Sequence, residues 1–410
     1  MNSPERTLAT RLIHHAYQPP EGFVAPQPAV HKASTVVFPN VAAMRAREWK
    51  DKSGYTYGLH GTPTTFILEE RLAELEGGAQ CLLVPSGLSA ISTVSLALLR
   101  AGDEVLLPDD AYGPNRALTQ TLLAQFGVRH AVYDPMDLAD LAQRINSATR
   151  LVWLEAPGSV TLEFPDLLGQ VRLCQERGVL CALDNTWGAG LAFAPFDLLG
   201  DGSGGLGVDV SVHALTKYPS GGGDVLMGSV VTRNPGLHHR LKLAHMHLGL
   251  GVGANDAEAI LRSLPSVGLR YRAHDLSART LARWMAEQAA ISQVLHPALD
   301  ASPGHAHWQA LCGSANGGEG AAAGLFSVVI DPVHPQERVD AFCDALALFK
   351  LGYSWGGPMS LVVPYDVAGM RARATPHLRA GTVVRFSVGL EAVEDLRQDL
   401  AQSLRRAFAG

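Results

Sequence analysis

Short apolar runs alternate with helical patterns over the first half of the chain, and this alternation constrains the fold more than any other feature. The runs lie at 81–84, 103–107, 128–133, 151–154 and 179–183. Helical periodicity separates several of them, including the stretches 137–145 and 166–177. Strands alternating with helices at this spacing are typical of an α/β domain with a largely parallel sheet. Ligands of such sheets bind beyond the carboxyl ends of the strands, so the residues found there are the first candidates for a site.

Three polar positions follow predicted strand ends. Ser86 and Gly87 come after the run 81–84 and open a helical run, which gives a helix N-terminus whose free amides suit a phosphate. Asp184 ends the run 179–183, where a buried carboxylate is costly unless a cation pairs with it. Lys217 is the third position. We expect the three to converge on one cleft.

The stretch Asp209–Tyr218 alternates apolar and polar residues and predicts a strand that ends at Lys217. A lysine at the end of a buried strand is desolvated, which lowers the pKa of its amine and makes it a nucleophile toward carbonyls. The alternative is a lysine that extends from the strand end into solvent. This stretch alone does not separate the two interpretations. The acid and the helix N-terminus predicted nearby favour the nucleophile.

Composition narrows the class of protein. The 410 residues predict two or three domains, and a net charge of -6 argues against a nucleic-acid partner. The five cysteines are scattered without a Cys-x-x-Cys pair, so neither a disulfide framework nor a zinc site is expected, and reduced thiols suit the cytoplasm. Because no signal peptide and no apolar run of membrane-spanning length is present, we expect a cytoplasmic protein without a membrane partner.

The organisation of the chain follows from proline, glycine and periodicity. Residues 1–55 are rich in proline and predict an extended arm that must be held by something else, such as a neighbouring subunit. We expect a cofactor-binding α/β domain at 56–253 and a smaller α+β domain at 254–410. The second is predicted to begin with one long helix over 254–289. Further elements are predicted as helices at 63–76, 336–348 and 393–408, strands at 325–330 and 383–388, and glycine-rich loops at 199–207 and 314–324.

Two other motifs predict no function. Gly249-x-Gly251-x-x-Ala254 resembles a dinucleotide-binding fingerprint but follows a basic helical stretch instead of a strand, so we interpret it as a loop. The histidine pairs 238–239 and 245/247 lack a carboxylate or cysteine at ligand spacing, so we expect no metal site and interpret them as a solvated helix face.

The three polar positions match the needs of pyridoxal phosphate chemistry. That chemistry requires a lysine for a Schiff base, an acid beside the pyridine nitrogen and a phosphate cup. The chain resembles the cysteine and methionine metabolism family of fold-type-I pyridoxal-phosphate-dependent enzymes over nearly its whole length. The motifs that carry the resemblance are Tyr57-x-x-x-Gly61-x-Pro63-Thr64, Leu75-Glu76-Gly77-Gly78, Ser86-Gly87, Asp103–Ala111 followed by Tyr112, Glu155-x-Pro157-Gly158-Ser159, Asp184-Asn185-Thr186-Trp187, Thr216-Lys217-Tyr218, Tyr353-Ser354-Trp355-Gly356-Gly357 and Arg385-x-Ser387-x-Gly389-Leu390-Glu391.

The resemblance implies a role for each matched residue. The catalytic residues it implies are Lys217, as Schiff-base lysine and proton shuttle, and Tyr112, stacked on the cofactor ring. The cofactor-binding residues it implies are Tyr57, Gly87, Leu88, Tyr112, Asp184, Thr186, Thr216 and Lys217, with Asp184 beside the pyridine nitrogen. The substrate-binding residues it implies are Tyr57, Tyr112, Ser354, Trp355 and Arg385. Tyr57 would come from a neighbouring subunit, which implies at least a dimer. The assembly we expect from the resemblance is a homotetramer built from dimers that share active sites.

The resemblance also implies a reaction. Residues 155–159 and Trp355 are similar to the β-lyase branch, which implies α,β-elimination of L-cystathionine to homocysteine, pyruvate and ammonia. The alternatives are a γ-acting member of the family and a regulator that binds pyridoxal phosphate without turnover. The chain departs from the family at Leu59, where an arginine is usual, at Gly222, where histidine is frequent, and at Met359, where many members carry glutamate. His60 follows Leu59 and could replace the lost phosphate contact.

Overall fold

The computed structural model of the protein describes residues 7–15, 17, 19, 21–49, 52, 54–313 and 319–408. The strands are β1 Gln80–Val84, β2 Glu104–Pro108, β3 Arg129–Tyr133, β4 Thr149–Glu155, β5 Leu180–Asp184, β6 Val210–Ala214, β7 Gly228–Thr232, β8 Ile291–Leu295, β9 Leu325–Ile330, β10 Lys350–Leu351, β11 Leu361–Tyr365 and β12 Thr382–Ser387. All strands predicted from the sequence exist, with ends that shift by up to three residues. Those not predicted are β7, β8, β10 and β11.

The helices predicted at 63–76, 137–145, 166–177 and 393–408 are confirmed to within one residue, whereas the helix predicted over 336–348 ends at Asp344. The structure contains the following helices. They are α1 Leu8–Ile13, α2 Val41–Arg45, α3 Pro63–Glu76, α4 Gly87–Leu98, α5 Gly113–Leu118, α6 Leu138–Arg144, α7 Leu167–Arg177, α8 Pro235–Leu248, α9 Ala254–Ser263, α10 Val267–Met285, α11 His305–Cys312, α12 Gln336–Asp344, α13 Val367–Met370 and α14 Val393–Phe408. Short 3-10 turns occupy Gly58–His60 and Leu264–Ser266, and a π-helical turn occupies Thr119–Leu123.

Seven strands form the larger sheet in the order β1-β7-β6-β5-β4-β2-β3. Every pairing from β6 across to β3 is parallel, whereas β7 runs antiparallel to both β1 and β6. Helix α3 packs against β1 and β7, and α4 packs against β6 and β7. Separate cores, one including α3 and the other α4, show that helices cover both faces of the sheet. The predicted α/β architecture is confirmed, and the carboxyl ends of β4, β5 and β6 meet at one edge.

Helix α3 begins and ends where its sequence requires. Thr62 and Thr65 form a reciprocal capping box, Pro63 occupies the first turn, and Gly77 ends the helix with a φ of 73°. Proline is tolerated at this first position because its missing N–H would have no helical partner. Glycine adopts the left-handed conformation at the helix end without the Cβ clash of other residues. The predicted bounds, 63–76, are those observed.

A second sheet of five strands has the order β10-β11-β12-β9-β8. Only the pairing of β10 with β11 is parallel. A core that includes side chains from α10, α12 and α14 covers this sheet. The chain segment between β11 and β12 contacts the larger sheet, because the N–H groups of Ala372 and Arg373 donate to the Asp109 carboxylate just after β2. This arrangement brings β12, which carries Arg385, close to the edge where β4, β5 and β6 end.

Two predicted elements were wrong in detail. The long helix expected over 254–289 is broken by a 3-10 turn at Leu264–Ser266, because Pro265 lacks the N–H that a continuous helix needs. The histidines of α8 do not form one solvated face. His238 and His245 are 7% and 6% exposed, and Lys242 between them is 2% exposed, whereas His239 and His247 are exposed. Helix α8 contacts α4, β1 and β7, so its inner face is covered despite its polar sequence.

Core packing changes partners along α10. Val267 and Tyr271 belong to the core that includes α3, whereas Leu281 and Met285 belong to the core of the five-stranded sheet. The domain boundary expected near 254 stays a prediction, as does the extent of the arm at 1–55. Of the loop expected at 314–324, residues 314–318 lie outside the described part. No helix among the described residues is both long and apolar enough to cross a membrane.

Candidate active site

A cavity of about 450 Å³ opens at the carboxyl ends of β4, β5 and β6. Most of the residues predicted from the sequence line it: Gly87, Leu88, Tyr112, Asp184, Thr186, Thr216, Lys217, Ser354 and Trp355. They come from five separate regions of the chain, four in the part that forms the larger sheet and one, Ser354 and Trp355, between β10 and β11. Tyr57 of the same chain is not among the lining residues. The predicted convergence of Ser86, Asp184 and Lys217 on one cleft is therefore observed.

Lys217 lies in a turn beyond β6, not at the end of the strand as predicted. The strand ends at Ala214, and the N–H of Lys217 donates to the Ala214 carbonyl at 3.1 Å. Its Nζ donates to Ser354 Oγ at 3.1 Å and lies 4.6 Å from the centroid of the Trp355 ring. No carboxylate of the described residues forms an ion pair with Lys217. Its amine is therefore held inside the cavity and does not extend into solvent.

Burial, together with the charge of Arg385, lowers the pKa of Lys217 from 10.5 to about 8, against the opposing charge of Asp184. A lowered pKa increases the fraction of free amine, the form that attacks carbonyls. The amine at this position is therefore a usable nucleophile near neutral pH. An exposed lysine would remain protonated in the same range.

We expect this pKa to govern how fast the cofactor-free protein takes up an aromatic aldehyde such as pyridoxal phosphate. The rate should rise tenfold per pH unit below about 8 and level off above it, because only the deprotonated amine reacts. Stopped-flow absorbance measures the rate, with free lysine as a parallel control for titration of the aldehyde itself. A rate that keeps climbing toward pH 10.5 would contradict the burial argument.

Asp184 ends β5 with its carboxylate at the cavity. Its Oδ1 accepts from Thr186 Oγ1 at 2.6 Å and from the Thr186 N–H at 3.1 Å, and Thr186 Oγ1 in turn accepts from the Ala214 N–H at 3.0 Å. Oδ2 accepts no hydrogen bond from the described residues. Burial raises the pKa of Asp184, while the two bonds from Thr186 oppose that shift. A buried acid without an ion pair suits a cationic ligand group.

The N-terminus of α4 supplies free amide donors beside Lys217. Ser86 caps the helix, and its Oγ accepts from the Ser89 N–H at 3.0 Å. The amides of Gly87 and Leu88 have no partner within the helix, as is general for the first turn. A Cβ at Gly87 would lie 2.6 Å from the Ala214 Cβ, so only glycine allows α4 to approach β6 this closely. The geometry suits a phosphate group.

Arg385 comes from β12 and is 5% exposed. Its guanidinium lies 5.3 Å from the Trp355 ring centroid and 5.2 Å from the Tyr365 ring centroid, and Nη1 donates to the Ser159 carbonyl at 2.9 Å. Within the described part of the chain it forms no ion pair. A buried guanidinium without a counter-ion is suited to bind a carboxylate ligand through its planar fork. Tyr365 was not predicted as part of this site.

Tyr57 and His60, which follow the predicted arm, lie away from the cavity of their own chain. Tyr57 is 46% exposed, and its ring meets His60 edge-on at 5.8 Å between centroids. His60 Nδ1 lies 2.6 Å from Thr56 Oγ1. Neither contacts the site that contains Lys217, so a role for them requires the site of another subunit. That role stays a prediction.

Sequence reasoning overlooked one acid of the cavity. Glu155 is the last residue of β4, as Asp184 is the last residue of β5, and the two are register partners in the sheet. Glu155 Oε2 accepts from the Tyr112 N–H at 2.8 Å. An acid at the end of each of two neighbouring predicted strands was a signal available in the sequence, but Glu155 was used only as part of a motif.

The fold and the cavity define a class of enzyme whose site combines a desolvated lysine, an acid without a counter-ion and a helix N-terminus suited to an anion. Comparison with known proteins agrees. The model of the family described as Cys/Met metabolism PLP-dependent enzyme matches residues 9–405. The chain therefore belongs to the cysteine and methionine metabolism family of pyridoxal-phosphate-dependent enzymes, and its cofactor is pyridoxal phosphate.

Individual relatives extend this finding. The chain is 36% identical to the cystathionine beta-lyase of Bordetella avium over 98% of this chain and 97% of that protein. The crystal structure of metB from Corynebacterium glutamicum superposes with a TM-score of 0.84 and 26% identity, covering 98% of each chain. Relatives with other names also match, among them the L-alanine/L-glutamate racemase of Wolbachia pipientis at 32% identity, over 92% of each chain, and the L-methionine gamma-lyase of Pseudomonas putida at 31%, over 97% of each chain.

The cavity fits this cofactor on its own geometry. It holds a desolvated amine at Lys217, an acid without a counter-ion at Asp184 and free amides at Gly87 and Leu88, which are complementary to an aldehyde, a pyridinium and a phosphate respectively. Among the described residues, no group of three or more His, Cys, Asp or Glu side chains is placed to hold a metal ion.

Proposed function

We propose that the protein is a carbon–sulfur β-lyase that cleaves L-cystathionine to homocysteine, pyruvate and ammonia. The observation that carries this proposal is the free amine of Lys217 beside Ser354 and Trp355, with the unpaired guanidinium of Arg385 next to the same Trp355 ring. This arrangement offers a base and a carboxylate-binding group to one amino acid. The name of the Bordetella avium relative supports the choice of cystathionine.

The cofactor and the residues of the cavity have separate parts in the proposed reaction. When bound, pyridoxal phosphate supplies an aldehyde that takes the substrate amine and a ring that accepts an electron pair. Lys217 removes the proton from the substrate Cα, and the Cβ–S bond then breaks so that homocysteine leaves as a thiolate that takes up a proton. Asp184 would hold the ring nitrogen of the bound cofactor in its protonated form. Water completes the conversion of the remaining three carbons to pyruvate and ammonia.

Other residues bind and orient. Arg385 and Ser354 hold the substrate α-carboxylate. The Trp355 ring lies next to the Arg385 guanidinium and to the Lys217 amine. Gly87, Leu88 and Thr216 would hold the phosphate of the bound cofactor, and Tyr112 would pack against its ring. Thr186 holds Asp184 through two hydrogen bonds. Because Lys217 donates to Ser354 Oγ, the base and the carboxylate-binding region are linked directly. Deprotonation of the amine is therefore coupled to the group that positions the substrate.

Product analysis with L-cystathionine tests the reaction. We expect pyruvate and homocysteine in equal amounts, because β-elimination cleaves the Cβ–S bond of the cysteine half. A γ-acting enzyme would release 2-oxobutyrate and cysteine instead. Chromatography of the products with authentic standards separates the two outcomes. If 2-oxobutyrate predominates, or if methionine is the only sulfur amino acid consumed, the β-lyase proposal fails while fold and cofactor remain.

The same assay separates the remaining alternatives. A regulator would show the absorbance of the bound cofactor without turnover of any sulfur amino acid. A racemase, the activity in the name of the Wolbachia pipientis relative, would interconvert L- and D-alanine without releasing pyruvate. Chiral chromatography of alanine incubated with the holoprotein detects this outcome. Sustained pyruvate release from cystathionine contradicts the regulator as the sole function.

We further propose that the protein acts in the cytoplasm as a homotetramer built from two dimers. Within each dimer, Tyr57 of one subunit reaches the site of the other. The support is the exposure of Tyr57 outside its own cavity. Leu59 occupies the position where an arginine is usual in the family, and His60 beside Tyr57 is the candidate replacement for that arginine. Light scattering of the holoprotein measures the assembly, and a fully active monomer would contradict the shared site.

A further inference from the structure

Glu155 has no assigned role in the proposed reaction, although it lines the same cavity as Lys217. It ends β4 directly beside Asp184, which ends β5, and the two are Cα partners in a parallel pairing. Register partners of neighbouring strands present their side chains to the same face of the sheet. Two carboxyl groups therefore project side by side toward the place where the site needs one negative charge.

The hydrogen bond of Glu155 holds the backbone of Tyr112, the residue whose ring is proposed to stack on the cofactor. Its Oε2 accepts from the backbone N–H of Tyr112 at 2.8 Å, across 43 positions of sequence. Tyr112 is the N-cap residue of α5, and its own side chain makes no capping hydrogen bond. The carbonyl of Asp110 accepts from the Ser159 N–H at 3.2 Å, so the loop after β2 is held twice by the segment around the end of β4. Of these two hydrogen bonds, the one to Glu155 holds Tyr112 itself.

The charge around Glu155 disfavours a second anion. The charged and titratable groups that face it are Asp184, Asp110, Tyr112, Tyr133, Arg371 and Arg385. None of the cations among them forms an ion pair with Glu155. Asp184 accepts two hydrogen bonds from Thr186, whereas Glu155 accepts one from a backbone amide. Two adjacent half-buried carboxyl groups do not both ionise readily, and the better hydrogen-bonded one takes the charge.

The protonation equilibrium points in the same direction. Burial raises the pKa of Glu155 well above its usual range, and the charges of Asp184 and Asp110 raise it further. The hydrogen bond from Tyr112 and the charge of Arg371 oppose this rise without cancelling it.

We propose that Glu155 is a positioning residue that remains an uncharged acid, fixes Tyr112 through its acceptor oxygen, and leaves Asp184 as the single carboxylate charge offered to the cofactor. The inference rests on the proposed site, in which Lys217, Asp184 and Tyr112 serve the cofactor. It adds that the neighbouring acid acts by shape and hydrogen bonding, not by charge. A glutamine side chain has the same shape, an acceptor oxygen and no charge, so it is the closest substitute for this state.

Three variants test the proposal: E155Q, which keeps length and acceptor, E155D, which keeps the acid but withdraws it by one methylene, and E155L, which removes the acceptor. The readouts are the dissociation constant of pyridoxal phosphate, the visible circular dichroism of the bound cofactor and the pH midpoint of its absorbance. We expect E155L to raise the dissociation constant about tenfold and weaken the dichroism, since the Tyr112 amide loses its side-chain acceptor. E155Q should rescue both readouts to within about threefold of the parent.

The ranking of E155Q above E155D keeps the test decisive even where E155L does not fold. Aspartate can carry a charge and glutamine cannot, so a structure that needs an anion at 155 predicts the reverse ranking. If E155D matches the parent while E155Q fails, the proposal is overturned. It is also overturned if E155L equals the parent in every readout, because Tyr112 then needs no such partner.

The absorbance midpoint gives an independent check. Replacing an uncharged acid by glutamine should leave the midpoint unchanged. Replacing an ionised carboxylate would remove a nearby negative charge, which disfavours the protonated form and moves the midpoint down by about one pH unit. Such a shift in E155Q contradicts the proposal. These readouts do not depend on which substrate is cleaved, so they remain informative if the β-lyase proposal fails.

Discussion

Replacing Lys217 by alanine is expected to leave a folded protein without covalently held cofactor and with turnover reduced by ~10² to 10⁴ or more, because proton transfer by a positioned base contributes that much. The side chain lies in a cavity, and its Nζ bonds only to Ser354 among the described hydrogen bonds, so its removal breaks no ion pair. Borohydride reduction followed by peptide mass analysis locates the labelled lysine in the parent. Steady-state pyruvate release measures the loss in the variant.

The chain offers matched controls for this experiment. Lys350 is exposed on β10, and Lys242 is a second buried lysine that donates to the His60 carbonyl at 3.2 Å. Neither should carry label after reduction, and K350A should turn over substrate at the rate of the parent. Label on Lys242, or an unlabelled peptide that contains Lys217, would show that the amine in the cavity is not the attachment point.

Removing the guanidinium of Arg385 is the second large effect. R385L should raise KM for an α-amino acid substrate roughly tenfold to a hundredfold, because a charge-assisted hydrogen bond contributes about 1.5 to 3 kcal/mol. R385K keeps the charge but loses the planar fork, so it should fall between the parent and R385L. Initial rates over a range of substrate concentrations separate KM from kcat.

A ligand comparison isolates the carboxylate. An amino acid inhibitor should lose affinity for R385L, whereas the corresponding amine without the carboxylate should bind the parent and R385L alike. R379L is the matched control. Arg379 lies exposed on the segment that precedes β12, and it donates to the Ser292 carbonyl at 2.6 Å, away from the cavity. Equal losses for the acid and the amine would mean that R385L perturbs the site and that Arg385 does not bind the carboxylate.

The sequence predicted the sheet and most of the cavity because both depend on local periodicity and on motifs at strand ends. It placed Lys217 on a strand because alternation continues through the turn. The end of β6 is set by the contact of the Ala214 N–H with Thr186, which is 28 positions away. Alternation within one window carries no information about that partner. The error changes where the amine lies but not which cavity it enters.

Two other failures have different physical origins. Helix α8 carries His238, Lys242 and His245 on its inner face, and polar residue types predict exposure unless the packing of α4, β1 and β7 on the helix is known. The break between α9 and α10, by contrast, was accessible, since Pro265 is a breaker in any helical pattern. The first failure needed tertiary information, whereas the second needed closer attention to one residue.

Strand β1 leads into the helix that offers its amides to the phosphate, yet its strand partner in the described sheet is β7, about 150 residues later in the chain. During synthesis on the ribosome, β1 therefore remains unpaired until Gly228–Thr232 has emerged, by which point Asp184 and Lys217 are already available. Arg385 emerges much later. The residues of one chain that are proposed to hold the cofactor thus emerge well before the residue proposed to hold the substrate carboxylate, whereas Tyr57 joins the site only when subunits assemble.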